Sequence, residues 1–439
     1  MVIKRDHYVN QVIAKRWNGK VKIITGLRRC GKSYLLSVLY KGVLLSEGVS
    51  ESDIIELSLE KKSNAKYRNP IALQDYILSK ASDPARKYYV FIDEIQLTRK
   101  VLPPDVDLAR IAPEDRDSAY LTFYDTLNGL RQLDHVDVYV TGSNSKTLSS
   151  DIESNFADRG VQIRVHPFTF SEYCEATSPS DMSAAFERYL IWGGMPLAVA
   201  EDDDRARARY LQGLFGEVYV NDIRQRHRLR DTSVLENLID VIASATGSLT
   251  NPHKLANTLE SRLRIKSNDH TIGNYLGYLK DAFLFGEAKR YDVRGKSYFD
   301  YPNKYYCEDV GLRNARTGFR EIDHPHLMEN VIYCELVRRG FSVDVGVVHS
   351  WRKNAKGSSV KVPREIDFVV NKSSERVYVQ SAYRMDDGEK AEQELRPFSL
   401  TGDAFRRIVI RQDIGRRSYD QGGVLHIPLI DFLCDEGCI

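Results

Sequence analysis

Residues Gly26, Leu27, Arg28, Arg29, Cys30, Gly31, Lys32 and Ser33 satisfy the spacing G-x-x-x-x-G-K-[ST]. That spacing suits one kind of chemistry. Glycines let a backbone wrap around phosphate oxygens, and successive N–H groups with a helix N-terminus supply the positive end. Lys32 would reach the β- and γ-phosphates, and the Ser33 hydroxyl would ligate Mg²⁺. The nucleotide-binding set is therefore Gly26 through Ser33 with Tyr34 beside it, and the implied cofactors are ATP and Mg²⁺. A second motif, Phe91-Ile92-Asp93-Glu94, closes an apolar run. Asp93 is placed to hold the Mg²⁺ shell through water, and Glu94 to polarise an attacking water. Lys32 and Glu94 are thus expected to be catalytic. Asn144, in Thr141-Gly142-Ser143-Asn144, is the choice for contacting the γ-phosphate or positioning the water; Ser143 or Thr141 could serve instead, and a plain turn is the alternative. Arg159 could reach a neighbouring subunit's phosphate as an arginine finger, or be an exposed arginine at a helix end.

These residues need elements to position them. Residues 21–25 form a short β-branched run that a glycine loop connects to a helical pattern from Ser33. Strand, loop, helix is the setting such a loop requires. Further strands are expected at 54–59, 88–92, 136–141 and 161–165. The continuous apolar run at 88–92 suits a strand buried on both faces of a parallel sheet. Strands alternating with helical stretches indicate an α/β layered domain. Residues 97–119 are charged, contain Pro103, Pro104 and Pro113, and read as a long loop, functional or disordered.

The length of 439 residues points to about three domains. A net charge of +2 confines any basic surface to a local patch. The cysteines at 30, 174, 307, 334, 434 and 438 form no C-x-x-C pair, which argues for free thiols in a reducing compartment. Cys434 and Cys438 are a weak candidate for a redox or metal pair. The N-terminus lacks the apolar stretch of a signal peptide, and no window has the length of a transmembrane helix, so a cytoplasmic protein without membrane partners is expected.

From about 180 to 245 the pattern is helical and charged, with basic runs at Arg205–Arg209 and Arg224–Arg230 that read first as a solvated helix face and second as a nucleic-acid contact. Helices at 234–245, 251–259 and 268–283 precede two candidate strands, 285–291 and 296–301, joined at 292–295. Helix, helix, helix, wing is the winged-helix pattern. Its third helix carries His270, Thr271, Asn274, Tyr275, Tyr278 and Lys280, and its wing Lys289, Arg290, Arg294 and Lys296. Such groups suit DNA, although winged helices also contact proteins. From about 325 a helix (327–338) and strands at 366–370, 377–380, 407–410 and 424–428 indicate a separate small α/β domain.

The motifs around Lys32, Asp93 and Ser143, with His166-Pro-Phe-Thr-Phe-Ser-Glu-Tyr173 and Tyr189-Leu-Ile-Trp-Gly-Gly-Met-Pro196, resemble prokaryotic AAA-type ATPases fused to a C-terminal domain of unknown function. The resemblance spans essentially the whole chain. It implies an α/β fold: an AAA+-type P-loop ATPase with a parallel-sheet sandwich (1–178), a helical lid (179–230), a winged helix (231–318) and a small α/β restriction-endonuclease-like domain (319–439). It also implies self-association into a ring-like oligomer, a hexamer among the options. A restriction-endonuclease-like centre needs an acidic residue at one strand end and E-x-K on the next. Asp367 matches the first position, Glu329 the helical carboxylate and Gln380 the second strand, so these would be the metal ligands of a live nuclease site. Ala382 stands where the lysine belongs, with Lys390 or Arg384 as spatial substitutes, so the domain is expected to be catalytically degenerate. The function expected is ATP hydrolysis coupled to binding or remodelling DNA, branched or recombination intermediates included. The alternatives are a nucleotide-driven switch that recruits a protein partner in regulation or defence, and an ATP-gated nuclease.

Overall fold

The computed structural model describes residues 3–142, 158–320, 322–353, 359–385 and 388–439. They divide into two compact units. One runs up to His166 and takes in Asp281–Phe283; the other comprises Pro167–Lys280 and Leu284–Ile439.

In the first unit the β-branched runs become β1 (Val21–Gly26), β2 (Ile54–Ser58), β3 (Tyr88–Asp93), β4 (Val136–Thr141) and β5 (Gly160–Val165). All pair in parallel, in the order β2-β3-β4-β1-β5. β1 and β4 are buried at every position, as strands covered on both faces must be. One face packs Val21, Ile23, Val90, Ile92, Val138 and Val140 against Leu73, Ile77, Phe123 and Leu127 from the helices Pro70–Lys80 and Phe123–Arg131. Because β1 and β4 are neighbours and β3 flanks β4, the carboxyl ends of these three strands lie side by side, the usual location for a ligand in such a sheet. Beneath, the wholly buried Lys22 pairs with Asp137, which accepts a 2.7 Å hydrogen bond from Tyr139. Burial pushes the Lys22 pKa down against that pairing.

The loop expected at 97–119 is folded. It forms 3-10 turns at Ile95–Leu97, Leu108–Arg110 and Pro113–Ala119 and is closed by a bridge between Val101 and Leu121. Short turns with changing period leave no repeat for a sequence to display.

In the second unit the helices Met182–Trp192, Asp204–Gly213, Asn221–His227, Ser233–Ser244, Pro252–Leu263 and Asp269–Asp281 follow the expected pattern. Asn251 caps its helix by accepting from the Lys254 amide at 2.7 Å, with Pro252 at the first turn. Asn268 caps the next helix, accepting from the Thr271 amide at 2.8 Å.

The expected two-stranded wing requires correction. β6 (Phe285–Ala288) pairs with β9 (Lys304–Cys307), while β7 (Arg290–Asp292) forms the short hairpin with β8 (Ser297–Tyr298). β7 also pairs in parallel with β10 (Ser342–Lys353), which joins the hairpin to the C-terminal sheet. That sheet continues through β11 (Ser359–Lys372), β12 (Glu375–Ala382), β13 (Arg406–Arg411), β14 (Ser418–Tyr419) and β15 (Leu425–Pro428). Its order is β14-β15-β13-β12-β11-β10-β7-β8. Tyr291 and Val293 pack with Val348, Ile366 and Val369, so burying these side chains decides the pairing. The region from 325 is accordingly not separate: its sheet includes residues of the expected wing. The helix His324–Arg338 covers the other face, where Leu327, Met328, Val331, Ile332 and Leu336 meet Phe368, Val370, Val379 and Ile408.

Candidate functional site

Gly26 ends β1 at φ +138°, and a Cβ there would stand 2.0 Å from the Val165 carbonyl oxygen. Gly31 adopts φ +102° and Arg29 φ +70°, so the loop makes two turns through the left-handed region before the helix begins at Lys32. Leu27 and Cys30 point into the core, and the Cys30 thiol donates to the Val165 carbonyl at 3.2 Å. Lys32 is buried with its ammonium turned into the loop, donating to the carbonyls of Gly26 (3.1 Å) and Leu27 (3.0 Å). Arg28 reaches Glu60 at 3.3 Å, while Arg29 and Tyr34 are exposed. A loop shaped this way, opening a helix, fits a phosphate chain.

Asp93 is the hub of the site. Its Oδ1 accepts from the hydroxyls of Ser33 and Thr141, each at 2.6 Å, and its Oδ2 from Ser58 at 3.3 Å. Three strand ends and the phosphate loop therefore converge on one carboxylate. Ser33 and Asp93 are the oxygen donors that would hold Mg²⁺, a cation that favours hydroxyl, carboxylate and water oxygens. Glu94 follows at φ +58°, its amide donating to the Thr141 hydroxyl at 3.0 Å and its carboxylate accepting from the Gln96 amide group. Thr141, an alternative to Asn144 in the sequence, thus belongs to the carboxylate scaffold. Ser58 and Gln96 were not anticipated; their only signal is a polar residue at or just past a strand end. Asn144 and Ser143 lie outside the described residues.

Arg159 is exposed immediately before β5, where its carbonyl accepts from Val21. Since Val21 pairs with Gly160 and Gly26 with Val165, it stands at the opposite end of the strand from the phosphate loop, about 20 Å away. It does not join this chain's own site. Arg5 does contact the loop: its guanidinium donates to the Cys30 carbonyl at 2.9 Å and the His166 carbonyl at 2.7 Å, and lies over the Tyr8 ring.

The second unit holds a separate cluster of charge. Glu329, Asp367 and Gln380 do come together, but around an ammonium: Lys304 Nζ lies 2.8 Å from Glu329, 2.7 Å from Glu365 and 3.8 Å from Asp367. Tyr306 donates to Glu329 at 2.6 Å, the Ser381 amide to Asp367 at 2.9 Å, and Gln380 to Glu394 at 2.9 Å. Among the described residues no group of His, Cys, Asp or Glu side chains is arranged to hold a metal. The carboxylates named from the sequence as ligands of a live nuclease site thus face a buried lysine. Lys304 was not anticipated; it arrives from β9, far from the E-x-K spacing. Burial opposes its charge, but Glu329, Asp367 and Glu365 outweigh that and hold its pKa above the ordinary value. Burial and the charge of Glu329 push the Asp367 carboxyl well above the usual range.

The glycines of the Trp-Gly-Gly-Met-Pro segment also have a physical reason. A Cβ on Gly193 would meet Asp309 at 2.2 Å, and one on Gly194 the Phe168 carbonyl oxygen at 2.0 Å. Asp309 in turn accepts from the Gly194 amide and, at 2.9 Å, the Leu312 amide.

Residues 18–174 match the AAA domain family, and residues 183–323 match a domain of unknown function (DUF8612). An uncharacterized protein of Haemophilus influenzae is 32% identical over 390 residues, covering 88% of each chain. The chain belongs to the AAA-domain P-loop ATPases. A second relative of this ATPase, the uncharacterized protein MJ1544 of Methanocaldococcus jannaschii, is 22% identical over 413 residues, 90% of this chain and 82% of its own. Among solved structures, the Walker-type ATPase PABY2304 of Pyrococcus abyssi aligns with 72% of the AAA-domain ATPase and 96% of its own chain, at 13% identity and a TM-score of 0.47. Among the described residues no helix is long and apolar enough to cross a membrane.

Proposed function

We propose that this AAA-domain ATPase couples hydrolysis of MgATP to binding or remodelling DNA. The ATPase half of the reading is carried by the convergence of Ser33, Ser58 and Thr141 on Asp93 beside the phosphate loop. Lys32 would neutralise phosphate charge, Ser33 and Asp93 would hold the metal, and Glu94 would orient the water and accept its proton. Mg²⁺, when bound there, would neutralise phosphate charge. Thr141 fixes both carboxylates by donating to one and accepting from the backbone of the other.

The DNA half is supported by exposed basic groups in the second unit. Lys289, Arg294 and Lys296 at the β7–β8 hairpin are exposed, as are Arg262, Arg264 and Lys266 before the third helix and His270 and Asn274 upon it. Lys280 and Tyr278 are engaged within the protein, with Glu287 and His227 respectively. We take residues 179–230 as a lid, the helices within 231–283 as the helical part of a winged helix, and the sheet of β7, β8 and β10–β15 with the helix His324–Arg338 as a restriction-endonuclease-like fold that contacts its partner without cutting it. Arg159 would act on a neighbouring subunit in a ring-like assembly. The free cysteines suit the cytoplasm.

The test is the ATP hydrolysis rate without DNA and with duplex, single-stranded or four-way-junction DNA, with Glu94→Gln as control. Several-fold stimulation by one DNA form is expected. A flat response to all of them overturns the DNA reading and leaves the partner-recruiting switch.

A further inference from the structure

The two longest strands of the chain, β10 and β11, extend beyond the sheet that holds them. β7 pairs with β10 only at Val345–Val347, and β12 pairs with β11 only at Phe368–Lys372. Past those points, among the described residues, the two strands pair only with each other, through Val348↔Arg364, His349↔Pro363, Ser350↔Val362, Trp351↔Lys361, Arg352↔Val360 and Lys353↔Ser359. Six paired positions make a two-stranded ribbon about 20 Å long.

Its composition departs from the rest of the molecule. The whole chain is nearly neutral, at +2, yet no Asp or Glu occurs between Asp344 and Glu365. Arg352, Lys353 and Lys361 are exposed on the ribbon, and Trp351 is 68% exposed. Residues directly opposite across an antiparallel ladder share a face, and faces alternate along each strand. Trp351, Lys361 and Lys353 therefore lie on one face, and Arg352 and Val360 on the other. Edge lysines alone would serve to keep strands from pairing with other chains. An indole left in water between two lysines is not explained that way, because an exposed large apolar group invites the association that edge lysines prevent.

We propose that this ribbon is a binding arm for single-stranded DNA, with Trp351 as the stacking platform and Lys353 and Lys361 as its phosphate contacts. An indole flanked by cations on a flat face matches the two surfaces an unpaired nucleotide offers, a π-face and an anionic backbone. A duplex keeps its π-faces stacked inside and offers the indole nothing comparable. The proposal rests on the reading that this ATPase acts on DNA, and narrows it to unpaired strands or the unpaired parts of a junction.

The test uses the full chain and fluorescence anisotropy with a labelled oligothymidylate and a duplex of equal length, over a salt series. Trp351→Ala is expected to weaken binding to the single strand about tenfold and to leave the duplex nearly unaffected. Trp351→Phe, which keeps an aromatic face at the same position, should retain most of the affinity, so stacking is separated from damage to the ribbon. Lys353→Gln with Lys361→Gln should lower the slope of log K against log salt by about 1.4, two contacts on a single strand. Wild-type binding to single strands that none of these variants changes overturns the ribbon proposal and leaves the DNA reading standing. A Trp351→Ala loss as large for duplex as for single strand overturns the stacking role. Absence of binding to any DNA overturns both.

Discussion

The Ser33 hydroxyl donates to Oδ1 of Asp93 over 2.6 Å, which joins the last residue of the phosphate loop to the end of β3, 60 residues later. A hydroxyl and a carboxylate held together offer oxygens of the kind that hold a magnesium ion, directly or through water. Ser33→Ala and Asp93→Asn should each weaken magnesium-dependent nucleotide binding and slow hydrolysis about a hundredfold, while Lys32→Ala should remove binding. Titration of a fluorescent ADP with and without magnesium measures this; affinity unchanged in all three variants would show the site to be misplaced.

Glu94 is held at φ +58° with its amide on the Thr141 hydroxyl, so backbone and side chain are positioned together. Glu94→Gln should bind ATP and retain it unhydrolysed. Thr141→Val keeps the shape and removes both hydrogen bonds, and should lower kcat more than it raises KM. Normal turnover by Glu94→Gln would remove Glu94 from the chemistry.

Arg5 bridges the Cys30 and His166 carbonyls at 2.9 and 2.7 Å. A guanidinium fork can serve two acceptors in fixed directions; an ammonium is a point charge. Arg5→Lys should therefore weaken nucleotide binding, and Arg5→Ala should weaken it further, by about tenfold or more, since hydrogen bonds from a charged donor contribute about 1.5–3 kcal/mol. Isothermal titration with ADP well below the unfolding temperature distinguishes this from a general loss of stability, which would leave affinity intact.

Burial raises the Asp309 pKa to about 6. The folded state then holds the proton more tightly than the unfolded chain, so stability falls as pH rises from the ordinary carboxylate range through about 6, by up to about 3 kcal/mol. Asp309→Asn should flatten that slope in urea unfolding between pH 4 and 7. Gly193→Ala should destabilise the second unit strongly, since its methyl would stand 2.2 Å from the Asp309 carboxylate. A Gly193→Ala variant as stable as wild type would disprove the packing constraint.

Lys304→Met should cost about 3–5 kcal/mol near neutral pH, because it leaves Glu329, Glu365 and Asp367 facing one another without a cation. The Asp367 carboxyl titrates above its ordinary value. Its unfavourable contribution therefore grows as pH rises past the unfolded value, and the variant should regain stability on acidification. Circular dichroism melts from pH 5 to 8 would show a pH-independent deficit if the cluster were not electrostatically coupled.

The sequence by itself determined the glycine loop, the carboxylate that meets it and the sheet that carries them. Local spacing is enough there: Gly26, Gly31, Lys32 and Ser33 act through one turn of backbone, and the apolar runs ending at Gly26, Asp93 and Thr141 can only be buried strands. Tertiary structure decided whatever depends on partners distant in sequence. Lys304 meets Glu329 and Asp367 only because β9, a helix and β11 pack together, and no E-x-K spacing records a lysine from another strand. The expected wing joined a larger sheet because Tyr291 and Val293 bury against Val348 and Ile366, a choice of partner that a strand's own residues do not encode. The ribbon carrying Trp351 was likewise silent: alternation marks a strand, and only the fold shows where its neighbours stop.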